Sequence, residues 1–201
     1  MATHTFSVTW DYRCPFAERA HDHVVEALLG GADWDVTFVP FSLGQVHVEE
    51  GQPDIWDRPG DDTGLLALQA GVAVRDTMPD QFLTAHRALF RARHRDAKQL
   101  REEEVVREVL TTAGIDADAV FAEIAGGAPL STIQKEHEAA ASEHDVWGVP
   151  TFIAHDEAAF IRLMNGTDGD AETSRKSIER ILGLLVCWPE LNEFKHTSIP
   201  R

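Results

Sequence analysis

The stretch Trp10-Asp11-Tyr12-Arg13-Cys14-Pro15-Phe16-Ala17 decides the fold, because a β-type run enters it and a helical pattern leaves it. The run is Thr5-Phe6-Ser7-Val8-Thr9-Trp10. From Phe16 to Leu29, Ala17, Ala20, Val24, Ala27 and Leu28 recur at the spacing of one apolar helix face, and Gly30-Gly31 stops the pattern. Cys14 therefore stands at a helix N-terminus, where the first backbone N–H groups lack intrahelical partners and the peptide dipoles favour negative charge. Both effects predict a lowered thiol pKa and an activated cysteine. Pro15 suits the first helical turn, since its missing N–H would be unpaired there in any case.

Beyond this unit, Asp35-Val36-Thr37-Phe38-Val39-Pro40-Phe41 alternates as a second strand, which completes a βαβ unit with parallel strands and a right-handed crossover. Residues 44–62, rich in Gly, Pro and acids, read as a loop with a short turn. Five helical segments follow: Leu65 to Met78 (broken by Pro79), Asp80 to His94, Glu102 to Ala113, Asp116 to Ile124, and Pro129 to His144. The β pattern returns at Gly148-Val149-Pro150-Thr151-Phe152-Ile153-Ala154. A turn at His155-Asp156-Glu157 leads to Ala159–Met164 as the second arm of a hairpin, and a last helix spans Ala171 to Leu185. Residues 189–201 read as an irregular tail. A chain that leaves a sheet, builds helices and returns to it predicts an α/β fold: a four-stranded mixed sheet (βαβ…ββα) from residues 1–62 and 146–201, with an all-helical subdomain, 63–145, inserted.

Composition narrows the function. A formal charge of −16 excludes nucleic acid and anionic membrane as natural partners. No run approaches the roughly 20 apolar residues of a membrane span. Met1-Ala2-Thr3-His4-Thr5 has neither a basic nor an apolar leader region, which makes the cytoplasm the default location. Of the two cysteines, Cys187 lies in the apolar run Leu184-Leu185-Val186-Cys187-Trp188 and reads as a buried hydrophobe. Cys14, at a strand-to-helix turn, reads as functional. The ten histidines show no pairing with acids at metal-ligand spacing, so no metal is expected.

The order of elements, with Cys14-Pro15 at the first strand-to-helix turn and Gly148-Val149-Pro150-Thr151-Phe152 opening the third strand, resembles the thioredoxin-fold DsbA family. The likeness also runs through Ala88-Leu89-Phe90-Arg91-Ala92 and from Val109-Leu110 to Gly114-Ile115-Asp116. It is nearest to the cytoplasmic branch, with the mycothiol-dependent reductases; kappa-class glutathione transferases and hydroxychromene-carboxylate isomerases share the architecture. The resemblance implies a cis peptide bond at Val149-Pro150. It also implies a role for that loop, with Trp147 and Thr151 beside it, in holding a thiol-bearing substrate against Cys14. Where the family pattern is Cys-x-x-Cys, this chain has Ala17, so internal resolution of a mixed disulfide is lost. The implied activity is monothiol exchange with a low-molecular-weight thiol (mycothiol or glutathione) as co-substrate and no tightly bound cofactor. The organic or disulfide substrate is unassigned, and a homodimer is left open. The rival readings are a kappa-type transferase or isomerase and an idle thioredoxin-fold binding protein.

Around Cys14, Asp11 either closes the turn or opposes a thiolate, and Arg13 is either solvated or stabilises one. Tyr12 either donates to a bound thiol or covers the sheet edge. The basic island His86-Arg87-Ala88-Leu89-Phe90-Arg91-Ala92-Arg93-His94-Arg95 is either a solvated helix end or an anion-attracting patch above the active turn. Trp56 and Trp188 read as packing residues, and Trp147 as the tryptophan nearest the site.

Overall fold

A computed structural model describes residues 2–196. The outer elements build one sheet. β1 (His4–Trp10) leads through the Cys14 turn to α1 (Pro15–Leu29) and β2 (Trp34–Pro40). After the helical block come β3 (Thr151–Ala154), β4 (Glu157–Phe160) and α8 (Ala171–Cys187). The strand order is β2-β1-β3-β4. β1 and β2 run parallel from His4↔Trp34 to Trp10↔Pro40; β1 and β3 are antiparallel around Val8↔Phe152. Val8, Thr9 and Trp10 are consecutively buried, so both faces of the sheet are covered where β1 reaches the active turn.

The hairpin departs from the expected arm Ala159–Met164. Ala154 pairs with Glu157, so the connection is only His155-Asp156, with His155 at φ 55°. A two-residue turn of this kind starts the second strand at once. The ladder therefore ends at Phe160, and Ile161 contributes one further bond, its N–H to the Pro150 carbonyl at 3.0 Å. Residues 148–150, expected as strand, form the loop before β3.

Between the halves lie α2 (Leu43–Val46), α3 (Leu65–Thr77), α4 (Phe82–His94), α5 (Glu103–Thr112), α6 (Ala117–Gly126) and α7 (Ala128–His144). Gly127, at φ 80°, closes α6 and opens α7, a left-handed conformation that glycine adopts without steric cost. α4 packs on α1 and α7 on β2, so the insertion is seated on the sheet and not tethered beside it. On α8, Ile178, Ile181, Leu182 and Leu185 are the buried stripe.

Cys187 and Trp188 correct the sequence reading, for both are exposed. A helix buries one stripe only, and Leu184, Val186, Cys187 and Trp188 fall off it. Residues 189–196 are irregular; the rest of the predicted tail, 197–201, lies outside the described residues.

Arg75 joins three elements. From α3 its guanidinium donates to the Phe38 carbonyl of β2 at 2.7 Å and grips Glu136 of α7 at 2.7 and 2.8 Å. Replacing Arg75 by Met keeps the aliphatic stem but leaves a strand carbonyl and a half-buried carboxylate without their donor. The expected loss is about 2 kcal/mol of unfolding free energy, read from urea denaturation with an unchanged slope.

Candidate active site

β1 delivers the turn and α1 receives it. Cys14 is the N-cap residue of α1, with extended backbone at φ −90° and ψ 117°, and its carbonyl accepts the Glu18 N–H at 3.1 Å. The side chain is buried at 9% exposure, and Sγ donates to the Val149 carbonyl at 3.3 Å across the cis Val149–Pro150 bond. The backbone N–H groups of Phe16 and Ala17, in the first turn of α1, favour negative charge on the same sulfur.

The expected low pKa is not what this environment produces. Burial raises the Cys14 thiol above its ordinary value, and Asp11 adds to the rise. The Ala17 and Phe16 N–H groups and the Arg162 charge oppose it, without reversing it. Desolvation disfavours the charged form whatever the local dipole offers, and a sequence does not show how deep the sulfur will lie. The resting group is a thiol that donates to a carbonyl.

Asp11 is fully buried and closes the turn. It accepts from the Arg13 backbone N–H at 2.8 Å, from Arg13 Nη2 at 2.8 Å and from the Leu43 N–H at 2.9 Å. Arg13 reaches on to Asp62 at 3.1 Å. It is neither solvated nor aimed at the thiol: it bridges two carboxylates. A methyl group at Gly64 would run into the Arg13 guanidinium, and one at Gly44 into Asp62, so the loop accommodates this bridge only with glycine at both places.

Tyr12 is buried too, and its hydroxyl points away from solvent. It lies 2.9 Å from His86 Nδ1; His86 Nε2 lies 2.9 Å from His21 Nδ1; His21 Nε2 lies 3.0 Å from the Thr9 carbonyl. A carbonyl only accepts, so the hydrogens are assigned in order: His21 Nε2–H to Thr9, His86 Nε2–H to His21, and the Tyr12 hydroxyl to His86 Nδ1. Every link is met with both imidazoles neutral. Burial pushes His21 down to about 4 and His86 well below the usual range. The rings of Trp10, Phe38, Phe82 and Phe90 stand within 5.4 Å of His86, centroid to centroid, and shut the imidazole off from solvent, which disfavours a cation. The chain ends on Thr9, whose side chain accepts the Thr151 N–H at 2.8 Å beside the cis-proline loop. The Cys14 turn, the helical block and the cis-proline loop are thereby one hydrogen-bonded unit.

The sequence reading missed this unit. His86 lay inside the basic island, yet with Phe82, Ala85, Leu89 and Phe90 it falls on the buried stripe of α4, a periodicity visible in the chain. Two of the island's four arginines turn to α1: Arg87 pairs with Glu26, and Arg95 with Glu18 and Asp22. His94 donates to the Tyr12 carbonyl at 2.8 Å. Trp147 is 64% exposed against Phe160, ring centroids 4.6 Å apart, next to the Val149 loop, whereas Trp56 is buried. Arg162, which no motif marked, holds its guanidinium 4.0 Å over the Phe16 ring. Among the described residues, no group of three or more His, Cys, Asp or Glu side chains is placed to hold a metal ion.

The model of the DSBA-like thioredoxin domain matches residues 7–170. The chain belongs to that family. Solved structures of the same architecture match the chain at low identity. A protein from Streptomyces coelicolor described as a probable DsbA oxidoreductase superposes with a TM-score of 0.61 at 15% identity, covering 97% of this chain and 93% of its own. The thiol-disulfide exchange protein alpha-DsbA2 from Wolbachia pipientis gives 0.60 at 18%, covering 90% and 82%. Pseudomonas aeruginosa DsbA gives 0.56 at 19%, covering 89% and 84%. These likenesses carry the fold. No curated protein matches the chain. No helix among the described residues is long and apolar enough to cross a membrane.

The buried histidines set a pH signature for this DsbA-family site. Their folded-state pKa values lie below the unfolded ones, so between pH 6.5 and about 4 the unfolded chain takes up protons that the folded chain refuses. Stability is complete above pH 6.5 and falls as pH drops through that window, by about 3 kcal/mol for His21 alone at pH 4. Chemical denaturation across pH 4 to 7.5 should show this fall, and His86→Met, which removes one titrating ring, should make it shallower.

Proposed function

We propose that the protein is a monothiol oxidoreductase that exchanges disulfides through Cys14 with a low-molecular-weight thiol as co-substrate. The observation that carries this reading is the Cys14 sulfur itself. It is held at the N-terminus of α1 and 3.3 Å from the Val149 carbonyl, while the position of a resolving thiol is filled by Ala17, fully buried. Among the described residues the Val149 N–H makes no hydrogen bond, so this loop offers a donor beside an acceptor to an extended thiol-bearing chain.

The steps balance without a second cysteine. Deprotonated Cys14 attacks one sulfur of a disulfide; the new bond is Cys14–S–S–R, and the other half leaves as a thiolate that takes up the proton. A second small thiol then attacks the mixed disulfide, forms a disulfide with R and returns Cys14 as thiolate. A thiol whose pKa burial has raised is a poor leaving group and keeps its reduced state without special stabilisation. Such a site suits reduction and long-lived mixed disulfides better than strong oxidation. Mycothiol and glutathione are the candidate co-substrates, and the cytoplasm is the compartment that supplies them at high concentration in reduced form. The same raised pKa supports one rival reading, a kappa-type transferase or isomerase in which the reacting thiol belongs to the bound carrier and Cys14 only positions it.

Mass spectrometry of the protein incubated with glutathione disulfide, and separately with mycothiol disulfide, tests the proposal. One adduct is expected on Cys14 and none there in Cys14→Ser; turnover that survives undiminished in Cys14→Ser would transfer the function to the rival. Ala17→Cys should add what is missing: an internal disulfide after oxidation and at least about tenfold faster release of the mixed disulfide, because resolution becomes intramolecular.

A further inference from the structure

Phe16 follows the active cysteine by two residues, and two guanidinium groups attend its ring: Arg162 at 4.0 Å and Arg19 at 5.9 Å from the centroid. Arg162 is exposed. Among the described residues neither arginine has a carboxylate partner, whereas Arg13, Arg75, Arg87, Arg95, Arg107 and Arg175 each do. Arg91, Arg93, Arg101 and Arg180 also lack one, so what sets Arg162 apart is its place over the ring of Phe16, two residues from Cys14. The acid of the turn itself, Asp11, is already spent on Arg13 and the Leu43 N–H.

Arg162 is also well placed by the backbone. Ile161 N–H bonds the Pro150 carbonyl at 3.0 Å, which fixes the start of the segment after β4 against the cis-proline loop. Lying over the Phe16 ring, the Arg162 guanidinium makes no hydrogen bond among the described residues, which leaves its N–H edge available. That edge is the one that binds carboxylates in paired fashion.

We propose that Arg162, stacked on Phe16, is the specificity-determining residue of the Cys14 site and receives a carboxylate of the incoming thiol or disulfide. The preferred partner is then a carboxylate-bearing small thiol of the glutathione type, not one such as mycothiol that carries no anionic group near its sulfur. This rests on the reading of Cys14 as a thiol-exchange centre, and it adds the chemical class of the partner. Arg19 is the second cation of the same lip, reinforcing the field without making the contact.

The test uses an inert probe, so it does not depend on Cys14 chemistry. S-methylglutathione, which has no free thiol, and its diethyl ester, which has no free carboxylate, are titrated by nuclear magnetic resonance into the wild-type protein, Arg162→Gln and Arg180→Gln. Arg180 is an exposed, unpaired arginine of α8 among the described residues and serves as the charge control. The acid should bind wild type about fivefold more tightly than the ester, the effect of one well-placed exposed ion pair. Arg162→Gln should erase that preference and Arg180→Gln should keep it. The proposal is overturned if wild type binds the ester as well as the acid, if it binds neither, or if Arg162→Gln retains the preference. Failure of the thiol-exchange reading would show separately, as the absence of a Cys14 adduct.

Discussion

The structure turns on one sulfur held between two opposing influences. The first N–H groups of α1 stabilise negative charge on Cys14, and burial against the Val149 loop opposes it. Burial prevails, so the resting protein keeps a thiol hydrogen-bonded to a carbonyl in place of a free thiolate. The surrounding architecture holds those two elements in register. β1 and β3 set the distance between turn and loop, and Thr9 joins them through the Thr151 N–H. The Val149 carbonyl is thus taken up by the Cys14 thiol at 3.3 Å.

The helical insertion supports the turn from behind. His86 of α4 receives the Tyr12 hydroxyl and passes a hydrogen to His21 of α1, so a helix some 65 residues on shares one neutral chain of hydrogen bonds with the turn and α1. Such a chain is stable only when every link is satisfied, and here the terminal carbonyl of Thr9 fixes both tautomers. Gly71 of α3 contributes by absence: a methyl group there would strike the Tyr12 hydroxyl. The acid–base pairs follow a similar division. Arg13 neutralises Asp11 and Asp62 inside the turn, while Arg95 and Arg87 bind the acids on α1, leaving the cations near Phe16 without such partners.

Much of this was legible in the chain. Cys14-Pro15 between a strand and a helix, Val149-Pro150 before another strand, and a run of helices between them were enough for the fold, because each rests on local chemistry and order. What was not legible depends on tertiary depth. The sign of the Cys14 shift requires knowing how far the sulfur is removed from water. Cys187 looked buried because its neighbours are apolar, yet the helix turns it outward. His21 and His86 lie 65 residues apart, and nothing in either local sequence names the other. Arg162 carries no motif at all; its meaning comes from the ring beneath it.

The central claim is that the resting Cys14 is a protonated, carbonyl-bound thiol. The most direct test is the pH dependence of its alkylation by iodoacetamide, followed by mass spectrometry at Cys14 with Cys187 replaced by Ser. The account predicts an apparent pKa above that of a free cysteine, about 8.5. An apparent pKa clearly below that value would contradict it, and would mean that the helix N-terminus, not burial, governs the site.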